Sequence, residues 1–198
     1  MPRITVSLPC YERPYGTKKS IEAIRNQTIN NWEAFIMGDA CPDFQKLIDS
    51  GYLEDVKNEE EKRGNIVHYF NSENRCAVYG YKLTNYAIQN ATGNYFVFYA
   101  NDDLILPNHF EHYLSEIENT EYDAIYYNSF SVDLQAVRDT KFVLSCIGHC
   151  DIIVKTDTAK LVAEHEPNGY HDWTFIANIS KLGKVKKAES NDYTYIIF

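Results

Sequence analysis

Most of the features that announce a function by themselves are missing from this sequence. No stretch approaches 18 consecutive apolar residues, which excludes a conventional membrane-spanning helix. The opening MPRITVSLPC lacks the basic-then-apolar layout of a secretion signal, so a soluble, cytoplasmic protein is expected. Basic residues are scarce. The 19 Lys and Arg face 28 Asp and Glu, for a net charge of −9 and a pI near 5.1, which argues against a broad phosphate-backbone footprint and against nucleic acid as a partner. The five cysteines (Cys10, Cys41, Cys76, Cys146 and Cys150) are odd in number and include no Cys-x-x-Cys pair. That spacing argues against both a disulfide framework and a zinc site and reads as reduced thiols. The nine glycines form no Gly-x-Ser-x-Gly, Walker or Gly-x-Gly-x-x-Gly pattern, so serine-hydrolase, P-loop and dinucleotide-binding chemistry lose their usual signatures. There is no internal repeat or low-complexity block.

What is present is an ordinary globular composition with an excess of tyrosine. At 198 residues, 44% of them hydrophobic, the chain is long enough to bury a core as one domain, and it carries 16 Tyr. Apolar runs at 4–8, 32–37, 66–70 and 95–99 read as strands. Segments with helical spacing lie between and around them, at 17–26, 44–50, 81–89 and from Pro107 to about 117. Further strands are expected at 124–127, 152–154 and 185–188, with helices at 157–163 and 172–182. The one charge run, 54–63, reads as a solvated loop or helix end. Repeated β-α alternation predicts an α/β fold, doubly wound, with a mostly parallel sheet covered by helices on both faces.

Ligands of such sheets gather beyond the carboxyl ends of the strands, so the residues that follow each strand come first. The first strand runs into Pro9-Cys10-Tyr11-Glu12-Arg13, the second into Gly38-Asp39, and the 95–99 strand into Ala100-Asn101-Asp102-Asp103. Adjacent carboxylates such as Asp102 and Asp103 offer hard oxygen ligands to Mg²⁺ or Mn²⁺, and could instead simply cap a helix or close an Asx-turn. Asp39 could accept hydrogen bonds from a base or a ribose, or serve as a turn residue. Tyr11 could stack on a nucleobase or pack at the sheet edge. Arg13, Arg75 and Lys82 could meet phosphates, Arg75 first among them, although single basic residues are usually surface residues. Asp172, in Gly169-Tyr170-His171-Asp172-Trp173, stands where a helix begins and is either a capping acid or a general base. His149 and His171 match no metal motif and read as core or surface histidines.

Taken in order, these segments resemble the family-2-type nucleotide-sugar glycosyltransferases of the GT-A fold, including the spore-coat polysaccharide type. The resemblance covers most of the chain. It rests on residues 4–13, Ser20-Ile21, Gln27-Thr28 and Trp32-Glu33 through Gly38-Asp39. It continues through Asn85, residues 91–95, Tyr99 to Asp103 and Pro107, then residues 146–150, 171–173 and 181–185. The likeness implies transfer of a sugar from a nucleoside-diphosphate donor, UDP-linked, to a hydroxyl of a glycan or other acceptor, with Mn²⁺ or Mg²⁺ and inversion at the anomeric carbon. It implies Tyr11 and Asp39 at the uridine base, Asp102 at the ribose side, metal ligation by Asp103 with Asp102, and Asp172 as catalytic base; with Pro9, Arg13, Arg75 and Lys82 these make up the expected donor site. On this reading 1–198 is a single domain, 1–103 the nucleotide-binding half and 104–198 the acceptor-side half, and its length is short enough for the family to be one domain of a longer polypeptide. Two places depart from the family pattern. Ala100 and Asn101 stand where many relatives begin the acidic motif with Asp, and His171 stands where many carry Glu, which brings Asp151 and Asp192 into view as other acids for the base. Two alternatives follow from the residues. A sugar-phosphate nucleotidyltransferase would want a Gly-rich basic loop after the first strand, where only Gly16 occurs. A catalytically silent nucleotide- or sugar-binding module would suit Ala100 and Asn101.

Overall fold

A strand buried along nearly its whole length needs apolar neighbours on both faces, and β1 (Ile4–Cys10) has them. The computed structural model describes residues 3–76, 80–162, 171–190 and 192–198. After β1 come α1 (Pro14–Arg25), β2 (Trp32–Gly38), α2 (Pro42–Asp49), α3 (Tyr52–Lys62), β3 (Ile66–Asn71), α4 (Tyr81–Asn90) and β4 (Tyr95–Phe98). The second half adds β5 (Leu104–Ile105), α5 (His109–Ile117), β6 (Ala124–Tyr126), β7 (Asn128–Ser131) and β8 (Ala136–Arg138). It ends with a 3₁₀ turn (His149–Asp151), β9 (Ile152–Lys155), α6 (Thr156–Val162), α7 (His171–Leu182), β10 (Val185–Lys187) and β11 (Tyr193–Ile197).

The larger sheet pairs in the order β10-β6-β9-β4-β1-β2-β3. It is parallel except at β9, which runs antiparallel to both β4 and β6. Side chains alternate between two cores, as a two-residue period requires: Ala34 and Ile36 join one, Phe35 and Met37 the other. Helices α1, α2, α3 and α5 cover the first face through Ile21, Phe44, Leu53 and Phe110. Helices α4, α6 and α7 cover the second through Leu83, Ala159 and Ile176. The doubly wound expectation therefore holds. Among the described residues no helix is long and apolar enough to cross a membrane.

Three features depart from the sequence reading. The charge run is neither loop nor helix end but the body of α3, which buries Leu53 and Val56. Its Glu60 is 0% exposed, held by Arg25, Arg63 and Asn65. The helix expected from Pro107 begins two residues later, because the Pro107 carbonyl accepts the Thr28 N–H instead. A second sheet, β5-β11-β7-β8, was not expected at all. It takes up the apolar end of the chain, with β11 parallel to β7 and antiparallel to β5.

The order 3-2-1-4 reverses direction at β1, so the β1/β4 boundary is the topological switch point where a doubly wound sheet binds ligands. Register fixes the heights of the loops there. Cys10 pairs with Gly38 and Ser7 with Phe98, so the segments leaving β1, β2 and β4 emerge side by side. The ladder continues past the strands through Asp39 N–H to Cys10 O (2.9 Å) and Tyr99 N–H to Ser7 O (2.9 Å).

At the opposite end of the sheet a buried carboxylate ties β2 to β1, to β3 and to the turn that leads into β4. Glu33, 1% exposed, accepts hydrogen bonds from Thr5 Oγ1 (2.6 Å), Thr92 N–H (2.8 Å) and Thr92 Oγ1 (3.0 Å), and meets His68 Nε2 at 3.1 Å. The Thr5 hydroxyl in turn accepts the Gly93 N–H at 3.0 Å. Gly93 has to be glycine, since a Cβ there would lie 2.6 Å from Thr5 Oγ1 and 2.7 Å from Thr5 N. Burial opposes ionisation of Glu33, but the donors from His68, Thr5 and Thr92 outweigh it and hold its carboxyl down at about 2. A carboxylate held low stabilises the fold wherever the unfolded chain's carboxyl is ionised, and that stability is lost as pH falls from the ordinary 4.5 through about 2. Glu33→Gln should therefore lose about 1–3 kcal/mol in urea unfolding at pH 7, with the gap to the parent closing as pH is lowered across that window. Equal stability at pH 7, or a gap that stays constant under acid, contradicts this account.

Candidate active site

The cleft over the switch point is built from three joined hollows. The first, about 510 Å³, is lined by Pro9, Cys10, Tyr11, Asp39, Arg75, Gly80, Ala100, Asn101 and Asp102. Five of the residues expected to meet a nucleotide sugar, Pro9, Tyr11, Asp39, Arg75 and Asp102, thus share one cavity. Asp39, 4% exposed, accepts the Cys76 N–H and lies 3.8 Å from Arg75 Nε. The Arg75 guanidinium lies over the Tyr11 ring at 3.5 Å. A flat aromatic face, a planar cation and a carboxylate that can accept from N–H or O–H groups suit a heterocyclic base with its sugar. Lys82 is exposed on the first turn of α4 and does not line this cavity.

The loop carrying Asp39 is pinned from β3. Asn71 Oδ1 accepts the Cys41 N–H (3.0 Å) and its Nδ2 donates to Cys41 O (3.1 Å), while the Ser72 hydroxyl accepts the Ala40 N–H (2.9 Å). Gly38 makes room for this, since a Cβ there would fall 2.4 Å from Asn71 Oδ1. Asn71 and Ser72 were not singled out in the sequence. Nothing local distinguishes them, because their partners lie about thirty positions earlier.

The second hollow, about 410 Å³, lies across the acidic turn and is lined by Arg13, Tyr15, Gly16, Lys19, Asn101, Asp102, Asp103, Leu104 and Phe198. Asp102 opens on both hollows and forms an ion pair with Arg13. Both side chains are well exposed, so the pair adds little stability. Asp103 faces the second hollow only. Its Oδ2 accepts the Tyr195 hydroxyl (2.7 Å) and its Oδ1 the Phe198 N–H (3.2 Å), so β11 sets the plane of the carboxylate. Burial pushes Asp103 up to about 6, with Tyr195 and Phe198 offsetting part of the effect and Asp102 adding to it. Tyr195, another residue the sequence reading passed over, is wholly buried and its oxygen also receives the Ala100 N–H at 3.3 Å.

The departure at Asn101 has a local use. Its amide donates to Glu12 O (3.4 Å) and Thr17 Oγ1 (3.3 Å), joining the acidic turn to the start of α1. A carboxylate could not donate those bonds. The segment it holds carries two successive left-handed residues, Glu12 (φ 52°) and Arg13 (φ 56°), a strained conformation of the kind that gathers at binding sites. Among the described residues no group of three or more His, Cys, Asp or Glu side chains could hold a metal ion. The acidic turn offers two hard carboxylates, Asp102 and Asp103. That fits Mg²⁺ or Mn²⁺, which are commonly held by one or two carboxylates with substrate phosphates and water completing the shell.

The third hollow, about 410 Å³, shares Pro9 and Ala100 with the first and is lined further by Ser7, Thr84, Phe98, Tyr99, Leu144, Ser145, Ile147, His149, Cys150, Asp172 and Trp173. Asp172 sits in the first turn of α7 with its side chain 39% exposed. Its Oδ1 is 3.0 Å from His149 Nδ1, and its Oδ2 accepts the His149 N–H at 3.2 Å. Of the other acids considered for this role, Asp151 is buried, paired with Arg138 and raised above its ordinary value by that burial, and it lines none of the three hollows. Asp192 is exposed and likewise outside them. Gly169 and Tyr170 lie outside the described residues.

Comparison with known proteins points the same way. Residues 5–143 match the model described as glycosyl transferase family 2. An uncharacterised glycosyltransferase of Rickettsia felis is 27% identical over 135 residues, 66% of this chain and 20% of the relative. One from Rickettsia typhi is 27% identical over 146 residues, 72% of this chain and 41% of the relative. The chain thus spans between a fifth and two fifths of these relatives' length. Among solved structures, S. aureus TarS 1–349 superposes with a TM-score of 0.79 at 16% identity, covering 99% of this chain and 60% of that 1–349 chain. The mannosyltransferase PcManGT from Pyrobaculum calidifontis, in complex with GDP-Man and Mn²⁺, gives 0.75 at 17%, covering 99% of this chain and 56% of its own. At such identities the likeness is one of fold, the GT-A arrangement. With well over half of its length matched by the family model, the chain belongs to glycosyl transferase family 2.

Proposed function

We propose that the chain transfers a sugar from a nucleoside diphosphate, UDP-linked, to an acceptor hydroxyl, with inversion at the anomeric carbon. The observation that carries this reading is the continuity of the cleft: the hollow with Tyr11, Asp39 and Asp102 opens through Pro9 and Ala100 into the hollow with Asp172. Two substrates bound in adjoining compartments gain the proximity that such a bimolecular transfer needs. Support also comes from TarS, solved in complex with UDP and with UDP-GlcNAc, and from the GDP-Man and Mn²⁺ complex of PcManGT.

Each residue has a task that its surroundings suit. Tyr11 and Arg75 hold the base, and Asp39 accepts from its N–H or from a ribose hydroxyl. Asp102 and Asp103 would hold Mn²⁺ or Mg²⁺, which when bound neutralises the negative charge that grows on the departing diphosphate. Asp172 removes the acceptor's hydroxyl proton as that oxygen attacks the anomeric carbon from the side opposite the diphosphate. The carbon–oxygen bond to the diphosphate breaks with its electron pair passing to the nucleotide, and the proton remains on Asp172. The apolar walls around Asp172, among them Phe98, Ile147 and Trp173, keep water from the electron-poor carbon. The nucleotidyltransferase alternative lacks its loop, since residues 9–19 carry one glycine.

Three measurements test this. UDP with Mn²⁺ at about a hundred times its Kd should stabilise the fold by about 2.7 kcal/mol, raising Tm by roughly 5–10 °C; no shift with any nucleotide or nucleotide sugar, with or without Mn²⁺, refutes donor binding. Asp103→Ala should remove the Mn²⁺-dependent part of the UDP affinity and leave the rest, and an unaltered Mn²⁺ dependence would take Asp103 out of the metal site. Asp172→Asn should reduce kcat for release of UDP from the best donor by about 10²–10⁴-fold with UDP affinity unchanged; a parent-like kcat removes Asp172 from the mechanism. A parent protein that binds donor with Mn²⁺ and never releases UDP would be the silent binding module instead.

A further inference from the structure

Asp172 stands at the exposed mouth of α7, where a carboxylate on its own would sample several rotamers, yet both of its oxygens are held by one residue from another part of the chain. That residue is His149. Its backbone N–H donates to Oδ2 at 3.2 Å, and its ring Nδ1 meets Oδ1 at 3.0 Å. An ionised carboxylate only accepts hydrogen bonds, so the ring contact requires a proton on Nδ1.

The histidine is itself immobilised. Its ring stacks on Phe98 (centroids 4.4 Å apart, planes at 11°) and receives the edge of Phe175 at 5.1 Å. The 3₁₀ turn that carries it is fastened from behind. Gly148 N–H donates to Asp151 Oδ2 (2.8 Å), Asp151 pairs with Arg138, and the Tyr113 hydroxyl donates to Cys150 O (3.0 Å). Two successive amides of one turn therefore serve two acids: Gly148 the buried Asp151, His149 the cleft-facing Asp172. A rigid core is thereby coupled to one carboxylate oxygen pair in the cleft.

We propose that His149 is the positioning residue of Asp172, fixing the plane of its carboxylate at the wall of the acceptor hollow. The inference rests on the reading of Asp172 as the base and adds to it a named group that orients the base. In this role His149 acts through Asp172. It lowers the probability that the base faces the wrong way, and a misplacement of about 1 Å at a reacting group is worth up to about 10²-fold in rate.

The test uses the full chain, Mn²⁺ and the best nucleotide sugar, with UDP release as the readout. His149→Phe keeps a ring against Phe98 and removes the Nδ1 donor. His149→Asn keeps a donor N–H at the same distance from Cβ. His149→Phe should reduce kcat by about 10–10²-fold with the donor KM within about twofold of the parent, and His149→Asn should recover most of that loss. The imidazole ¹⁵N shifts of the parent should show the proton on Nδ1, and Asp172→Ala should shift that population. If Asp172→Asn is inactive while His149→Phe keeps the parent kcat, His149 positions nothing. If His149→Phe and His149→Asn are equally impaired, or donor KM rises along with the loss of kcat, the residue is only packing. Where His149→Phe does not fold, the shifts decide: a neutral ring protonated on Nε2 alone, or a proton position indifferent to Asp172→Ala, overturns the proposal. An Asp172→Asn variant as active as the parent would instead bring down the reading of the base.

Discussion

The register that sets β2, β1 and β4 side by side is what the cleft is built on. β1 and β2 finish level, with Cys10 beside Gly38, and β4 finishes three residues lower, with Phe98 beside Ser7; the longer lead from Phe98 to Asp102 brings that carboxylate into the cavity shared with Tyr11 and Asp39. A one-residue slip in either pairing would turn each strand's side chains to the other face, sending Phe35 and Met37 into the core that now receives Ala34 and Ile36. The apolar pattern of both cores therefore enforces the geometry of the polar cleft.

The acids of the molecule divide along the sheet. At its amino end Glu33 is surrounded by donors and held at about 2, and it ties strands together. At its carboxyl end Asp103 has two donors, a carboxylate neighbour and substantial burial, which together lift it to about 6. Burial acts in the same direction on both, and the supply of hydrogen-bond donors decides the outcome. A carboxylate saturated with protein donors has little left for a ligand, whereas one with two donors keeps lone pairs for a cation. The carboxyl ends of the strands are also where doubly wound sheets bind their ligands.

The sequence was most readable where structure is local. Continuous apolar runs announced β1, β2 and β4 because strands covered on both faces are apolar throughout. Helical spacing announced α1 and α4, and Tyr11, Asp39 and Asp102 were legible as polar residues at the ends of such runs. Long-range features were not. β5 is two residues long, and β8 is largely exposed, so neither has an apolar signature. The reversal of β9 is decided by partners near residues 95 and 125, which no window of sequence contains. α3 hid behind its charges because Leu53, Val56 and Glu60 are its only fully buried residues. His149 and Tyr195 matter through contacts 23 and 92 positions away, and each looks like an ordinary core residue until those partners are in view.

If one cleft binds a nucleotide at its β1/β2 side and a metal at the acidic turn, crystals of the chain grown with UDP and Mn²⁺ should show the uracil against Tyr11 with a hydrogen bond to Asp39, and anomalous scattering from Mn²⁺ at Asp102 and Asp103 beside the diphosphate. Nucleotide density on another surface, such as the hollow along β3 lined by His68, Tyr69 and Tyr86, with no anomalous peak at the acidic turn, would contradict it.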